Sequence, residues 1–290
     1  MIPEQELRER IRPLFVRALS SPAIYLANHS LGRPPDRMAQ DVQRALDAWY
    51  RDLGEAWDEW TAAREKFRAL TARLVGAQSA DSIVPKTSAG QGLRAVLNAH
   101  DTRIRVVATD AEFDSLDFIL RVYRDRGRIE LVTVPARAEA LIEALGAGTD
   151  LVVVSSVLFR TGEIVAGIGD VVRAAHEAGA KVLLDVYHHA GVLALDLAAL
   201  EADFAVGGSY KYTRGGPGAC WLYVHPRFQA MRTLDTGWFA KENVFGYERP
   251  DPPRFAAGGD AWLESTPPVL APVQALAGLE FTLAVGVERL

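Results

Sequence analysis

A single cysteine, Cys220, rules out a bracing framework of intramolecular disulfides and fits a reducing compartment. Long apolar runs are missing as well. Stretches such as Leu151–Val154 and Val182–Leu184 fall far short of the ~20 residues a membrane span needs, so no membrane partner is expected. The start, Met1-Ile2-Pro3-Glu4-Gln5-Glu6, is polar and acidic, unlike the basic and then apolar start of a secretory signal. Nor is there an excess of positive charge. With 32 basic and 37 acidic residues the net charge is −5, which argues against a nucleic-acid-binding body as the main role. What is present is an ordinary globular composition, 49% hydrophobic and 24% charged, over 290 residues. That suits one large α/β domain or two smaller ones. The expectation is a cytoplasmic protein large enough to be an enzyme, without a metal site.

The hydrophobic pattern divides the chain. Residues 4–19 show helical spacing, with Leu7, Ile11, Leu14, Phe15 and Leu19 on one face. Pro22–Leu26 reads as a short strand, and Asn28–Pro35 as a loop punctuated by Gly32, Pro34 and Pro35. Two helices are expected at 36–50 and 55–75. Strands then alternate with helices. The strands fall at 105–108, 129–133, 150–154, 181–185 and 203–206, and the helices at 91–99, 115–125, 137–145, 167–178 and 196–200. These strands are short, apolar and mostly non-alternating, as expected for strands buried on both faces. Strand–helix alternation predicts a doubly wound, mostly parallel sheet. Beyond it come a strand at 219–224, a short helix at 226–233, a Pro/Gly-rich stretch at 237–268 and a helix at 271–290.

In such sheets ligands sit at the carboxyl ends of strands, near helix N-termini. Three polar signals fall there. Thr87-Ser88-Ala89-Gly90-Gln91-Gly92 opens a helix with small residues and free N–H groups, which favours an anion such as phosphate. A plain helix cap reads the same way. The segment is neither a Walker A loop nor GxGxxG. Asp185 ends the strand 181–185, where a partly desolvated carboxylate needs a partner; a turn or N-cap Asp is the ordinary alternative. Lys211 lies between Tyr210 and Tyr212, just past the strand at 203–206 and before Gly215-Gly216-Pro217-Gly218. Desolvation there would lower its pKa and make it a nucleophilic amine, against the alternative of a snorkelling surface lysine. A phosphate cup, a strand-end Asp and a strand-end Lys are the parts that pyridoxal 5′-phosphate requires. The helix N-terminus takes the phosphate, the carboxylate keeps the pyridine nitrogen protonated, and the amine forms the Schiff base.

At this point the sequence resembles the fold-type I pyridoxal-phosphate enzymes of the class V aminotransferase group, and among them the kynureninases. Tyr25–Gly32 is similar to a "LDGNSLG" segment, Asp185–Gly191 to "DLAHAVG", and Ser209–Tyr212 with Gly215–Gly218 to "SYKYLNAGAG". Gly237-Trp238-Phe239 is similar to "GWFG", and Ser265–Pro268 to "GTPP". The resemblance implies a seven-stranded-type sheet between helices, preceded by an N-terminal helical arm. It implies that Lys211 carries the cofactor, that Asp185 pairs with the ring nitrogen and that His188 sits beside it. Ala89 and Gly90 would offer backbone N–H groups to the phosphate. Phe113 would stack on the ring, Ser155 would contact the cofactor, and Tyr210 would contact the phosphate and act as an acid. Trp238 and Thr266 would reach the phosphate from a partner subunit, so the site would be shared across a homodimer. Phe113 as a core residue, Ser155 as a strand-end cap and Trp238 as an interface anchor are the structural alternatives. His189 has no matching role, and Cys220 reads as a buried, inert thiol.

The same resemblance divides the chain into an arm at 1–50, a cofactor-binding large domain at 51–270 and, at 271–290, a helix leading to a C-terminal small domain. That small domain, with its arginine for the substrate α-carboxylate, is expected to be lacking. His29, Gly90 and Leu116 depart from the family pattern, at positions of Asn, Ser or Thr, and Asp respectively. The implied activity is hydrolysis of L-kynurenine, or a related amino-acid substrate, to anthranilate and L-alanine. A class V aminotransferase or lyase acting on another amino acid is the alternative, and a cofactor-binding chain without turnover is a third. A cysteine desulfurase is disfavoured, because no loop cysteine is available to accept sulfur.

Overall fold

The computed structural model describes residues 2–146 and 148–290. Seven strands rich in Val, Ile and Leu form one sheet: β1 (Ile83–Lys86), β2 (Ile104–Thr109), β3 (Ile129–Val134), β4 (Thr149–Ser155), β5 (Lys181–Asp185), β6 (Phe204–Gly208) and β7 (Cys220–Val224). Their order is β1-β7-β6-β5-β4-β2-β3. The pairs β2–β3, β2–β4, β4–β5 and β5–β6 are parallel. β7 runs antiparallel to both β6 and β1, so β1 shares the direction of the majority.

Nine α-helices accompany these strands among the described residues: α1 (Glu4–Glu6), α2 (Val16–Leu19), α3 (Arg37–Asp52), α4 (Ala56–Val75), α5 (Ala89–Leu97), α6 (Asp114–Asp125), α7 (Ala138–Ala144), α8 (Ile168–Glu177) and α9 (Leu270–Val285). Residues alternate across each strand. Val152 and Val154 of β4 therefore join one core with α4, α7, α8 and α9. Leu151 and Val153 join a second core with α5, α6 and Trp262. Burial on both faces explains the unbroken apolar strands. The fold is the expected doubly wound, mostly parallel α/β sheet. No described helix is long and apolar enough to cross a membrane.

Several local expectations need correction. The 4–19 helix is broken into α1, a wide turn at Leu7–Ile11, a 3-10 turn at Arg12–Phe15 and α2. Pro13, with no N–H to donate, sits at that break. Pro22–Leu26 is irregular, and Ile24 and Leu26 lie exposed instead of pairing in the sheet. The helix expected at 196–200 is replaced by turns at 197–201, and the helix expected at 226–233 shrinks to a 3-10 turn at Pro226–Phe228. The 271–290 helix ends at Val285, where Gly286 adopts a positive φ of 86°. β1 was not anticipated: it is four residues long and contains Pro85.

Candidate active site

The parallel strands deliver their carboxyl ends to one edge of the sheet. β1 leads into Thr87, Ser88 and α5; β2 into Glu112 and Phe113; β4 ends at Ser155; β5 ends at Asp185; and β6 leads into Ser209, Tyr210 and Lys211. Ser155 and Asp185 are register partners across β4 and β5. This is the edge where open α/β sheets hold ligands.

Lys211 is 4% exposed and Asp185 5%. The Lys211 Nζ lies against His188 Nε2. It also faces three rings, with centroid distances of 5.2 Å to Phe113, 5.5 Å to Tyr187 and 5.8 Å to Tyr210. Burial lowers the Lys211 pKa, opposed by the Asp185 charge. Burial also pushes His188 down to about 4, helped by Lys211 and by His29, so its imidazole is neutral near pH 7. Asp185 moves the other way, up to about 6, because burial outweighs the Tyr187 N–H it accepts at 2.9 Å and the Lys211 charge. Such a carboxylate, short of positive partners, is prepared for a cation. The Tyr210 phenol is raised by burial and stays a donor at neutral pH.

Ser88 caps α5 by accepting the Gln91 N–H at 3.1 Å, and Ala89 and Gly90 form its buried first turn. A Cβ on Gly90 would stand 2.8 Å from Ile119 Cδ1 of α6. That methyl is the movable tip of a partly buried side chain, so the departure from Ser or Thr at this position has no structural explanation. Leu116 is fully buried in the core, so the departure there belongs to packing.

Trp238 Nε1 donates to Thr266 Oγ1 at 3.1 Å. No hydrogen bond or ring contact among the described residues joins this pair to Lys211 or Asp185. Its connection is to the α5 turn instead. The buried Lys86 Nζ donates to Glu264 Oε1 at 2.7 Å and to the Trp262 carbonyl at 3.0 Å. Gln91 Nε2 donates to Glu264 Oε2 at 3.0 Å, while Gln91 Oε1 accepts the Thr87 N–H at 2.7 Å. Glu264 thus ties the segment bearing Thr266 to the N-terminus of α5. Replacing Glu264 by Ala strands a buried ammonium and should cost about 3 kcal/mol in urea unfolding, with partial recovery in the Glu264→Ala/Lys86→Met double variant.

The 25–33 segment is clamped on the loop that carries Lys211. The Gly32 N–H donates to the Tyr210 carbonyl at 2.7 Å, and a Cβ on Gly32 would lie 1.9 Å from the Lys211 carbonyl oxygen. No side chain fits there. Gly32→Ala should lift the 25–33 segment and lower unfolding stability by about 1–3 kcal/mol.

Residue-by-residue reading missed two features. Glu112, 4% exposed, accepts from Thr109 Oγ1 at 2.5 Å and from the Ser155 N–H and Oγ at 3.1 and 2.6 Å. Tyr187 Oη lies 2.6 Å from Cys220 Sγ. That thiol is buried and its pKa is pushed up to about 11, as expected of an inert cysteine. The signal for Glu112 was its position beside Phe113. His189 meets Ser156 Oγ at 3.1 Å and the Ala194 carbonyl at 2.9 Å, away from Lys211.

Residues 25–289 match the model of the family described as Aminotransferase class-V. A kynureninase of Salinispora tropica is 33% identical over 293 residues, covering 92% of this chain and 68% of its own. A kynureninase of Deinococcus radiodurans is 30% identical over 261 residues, covering 86% of this chain and 62% of its own. The chain thus spans about two thirds of these relatives' length. A solved structure described as a C-DES mutant with glycine covalently linked to the PLP cofactor superposes with a TM-score of 0.85. It is 19% identical, covers 95% of this chain and 74% of its own, and shows the shared fold. The chain belongs to the class-V aminotransferase family, a pyridoxal-phosphate-dependent group. Within that family its likeness runs to the kynureninases.

Proposed function

We propose that this chain binds pyridoxal 5′-phosphate at Lys211 and acts as a kynureninase-type hydrolase on L-kynurenine or a related amino acid, giving anthranilate and L-alanine. The observation that carries the reading is the pairing of a buried amine and a buried, cation-seeking carboxylate at the ends of neighbouring strands, with an aromatic ring beside the amine. The donor set fits the cofactor. Asp185 would hold the pyridinium, Phe113 would cover the ring, and Ser155 and His188 would flank it. The α5 N-terminus, through the N–H groups of Ala89 and Gly90, would take the phosphate. When bound, the cofactor supplies an electron sink for negative charge developing on the substrate. Lys211, with its lowered pKa and the neutral His188 beside it, is suited to receive and return the substrate's protons. Tyr210, protonated at neutral pH, would serve as donor.

The Trp238–Thr266 pair makes no contact with Lys211 in its own chain, which supports a role across a homodimer. Exposed Ile24, Leu26, Trp49, Tyr50, Phe245 and Tyr247 supply apolar surface for such a partner. Residues 51–270 would be the cofactor domain, residues 1–50 an arm that closes on it through Gly32, and 271–290 the helical lead to a small domain. The free, buried thiol supports a reducing, cytoplasmic setting.

A second reading, turnover of another amino acid, rests on His29. It stands where the resemblance leads one to expect Asn, and near enough to depress the His188 pKa. Reconstituted protein mixed with L-kynurenine should release fluorescent anthranilate. A change in the cofactor's absorption with a different amino acid, and none with kynurenine, would favour the second reading.

A further inference from the structure

Glu112 is a buried carboxyl with no basic group against it. Thr109 Oγ1 of β2, the Ser155 N–H and the Ser155 Oγ of β4 all converge on it. Among the described residues none of the ion pairs includes it. The charged group that acts on it is Asp185 of β5, and that interaction is repulsive. Burial and Asp185 together hold its pKa at about 7, against the three hydrogen bonds. A buried carboxylate facing a second carboxylate is costly, and here it is kept with three donors and no cation against it.

The geometry points to a reason. We infer that Glu112 is a positioning residue, whose carboxylate turns the Ser155 hydroxyl hydrogen inward so that Ser155 presents only lone pairs to the cofactor ring. This rests on the proposal that Ser155 faces the cofactor. Ionised, as it is above a pH of about 7, Glu112 has no hydrogen to offer, so Ser155 is then the donor at the 2.6 Å contact. The Ser155 N–H occupies the other oxygen and cannot reverse. An isosteric amide at position 112 would keep its oxygen on that N–H and direct its NH₂ at Ser155 Oγ. The hydroxyl would then have to accept, and its hydrogen would swing outward. Glu112→Gln therefore reverses one hydrogen bond without changing shape.

The test uses the cofactor-loaded protein without substrate and reads the pH midpoint of its visible absorption change. Glu112→Gln should lower that midpoint by about one pH unit, because an outward donor favours the deprotonated ring system. It should stay folded and unfold at or above the wild-type temperature, since it removes a carboxyl whose pKa burial raises. Ser155→Ala should also move the midpoint, and Glu112→Gln added to Ser155→Ala should move it no further, the signature of action through Ser155. An equal additional shift in the double variant, or no shift in Glu112→Gln while Ser155→Ala shifts, overturns the inference. If Ser155→Ala alone leaves band and midpoint unmoved, the assignment of Ser155 to the cofactor falls first. A wild-type chain that never colours with pyridoxal 5′-phosphate removes both.

Discussion

Lys211→Ala should leave a folded, colourless protein whose turnover is at least ~10³-fold below wild type, within the range that loss of a positioned proton-transfer group produces. If Lys211 is the amine proposed to hold the cofactor, its removal should deepen that loss. The side chain is buried among Phe113, Tyr187, Tyr210 and His188. Truncating it therefore opens a cavity but strands no opposite charge against it at contact distance. Unfolding temperature should change little, while the absorption band of the bound cofactor disappears. A variant that stays yellow and active would move the chemistry to a different amine.

Asp185→Asn should have the second largest effect. With Asp185 in its proposed place against the pyridinium, loss of its charge should reduce turnover by ~10²–10³-fold, as for other preorganised electrostatic partners. The same change has an opposite effect on the cofactor-free chain. Burial raises the Asp185 pKa from 3.8 to about 6. A carboxyl raised on folding stabilises the fold at pH below its unfolded value, and that contribution is lost as pH rises through about 6. The Asn side chain does not titrate. Cofactor-free Asp185→Asn should therefore gain unfolding temperature relative to wild type between pH 4 and pH 8. Saturating cofactor, which brings a cation to Asp185, should restore the advantage to wild type. Scanning calorimetry at several pH values, with and without cofactor, measures both halves. A wild type more stable than the variant at pH 8 without cofactor would contradict the account.

Much of this site was legible in the sequence because it lies at strand ends, where local pattern is informative. Asp185 closes an apolar run, and Lys211 follows the next strand directly, so their proximity came from topology alone. Ser88 and its helix were readable as a cap, and the cap holds. What stayed hidden depends on distant pairings. Glu112 and Ser155 are 43 positions apart, and Lys86 and Glu264 178, and no period links either pair. β1 escaped because four residues around a proline carry almost no signal; its order comes from pairing with β7. The arm misled in the reverse direction. Its helical spacing is genuine, but Pro13 and few buried neighbours let it break, and Pro22–Leu26 found no strand to join. Leu116, where the resemblance leads one to expect Asp, is buried in the second core, and that pairing too is invisible to local pattern.

The central claim is that one amine, Lys211, holds the cofactor. The chain has five lysines, Lys66, Lys86, Lys181, Lys211 and Lys241. Reduction of the cofactor-loaded protein with borohydride, followed by proteolysis and mass spectrometry, fixes the cofactor to whichever amine bears it. The account predicts a single pyridoxyl adduct on the peptide containing Lys211, with Lys86 unmodified despite its burial beside the cup. An adduct on another lysine, or none on protein incubated with excess cofactor, would contradict it.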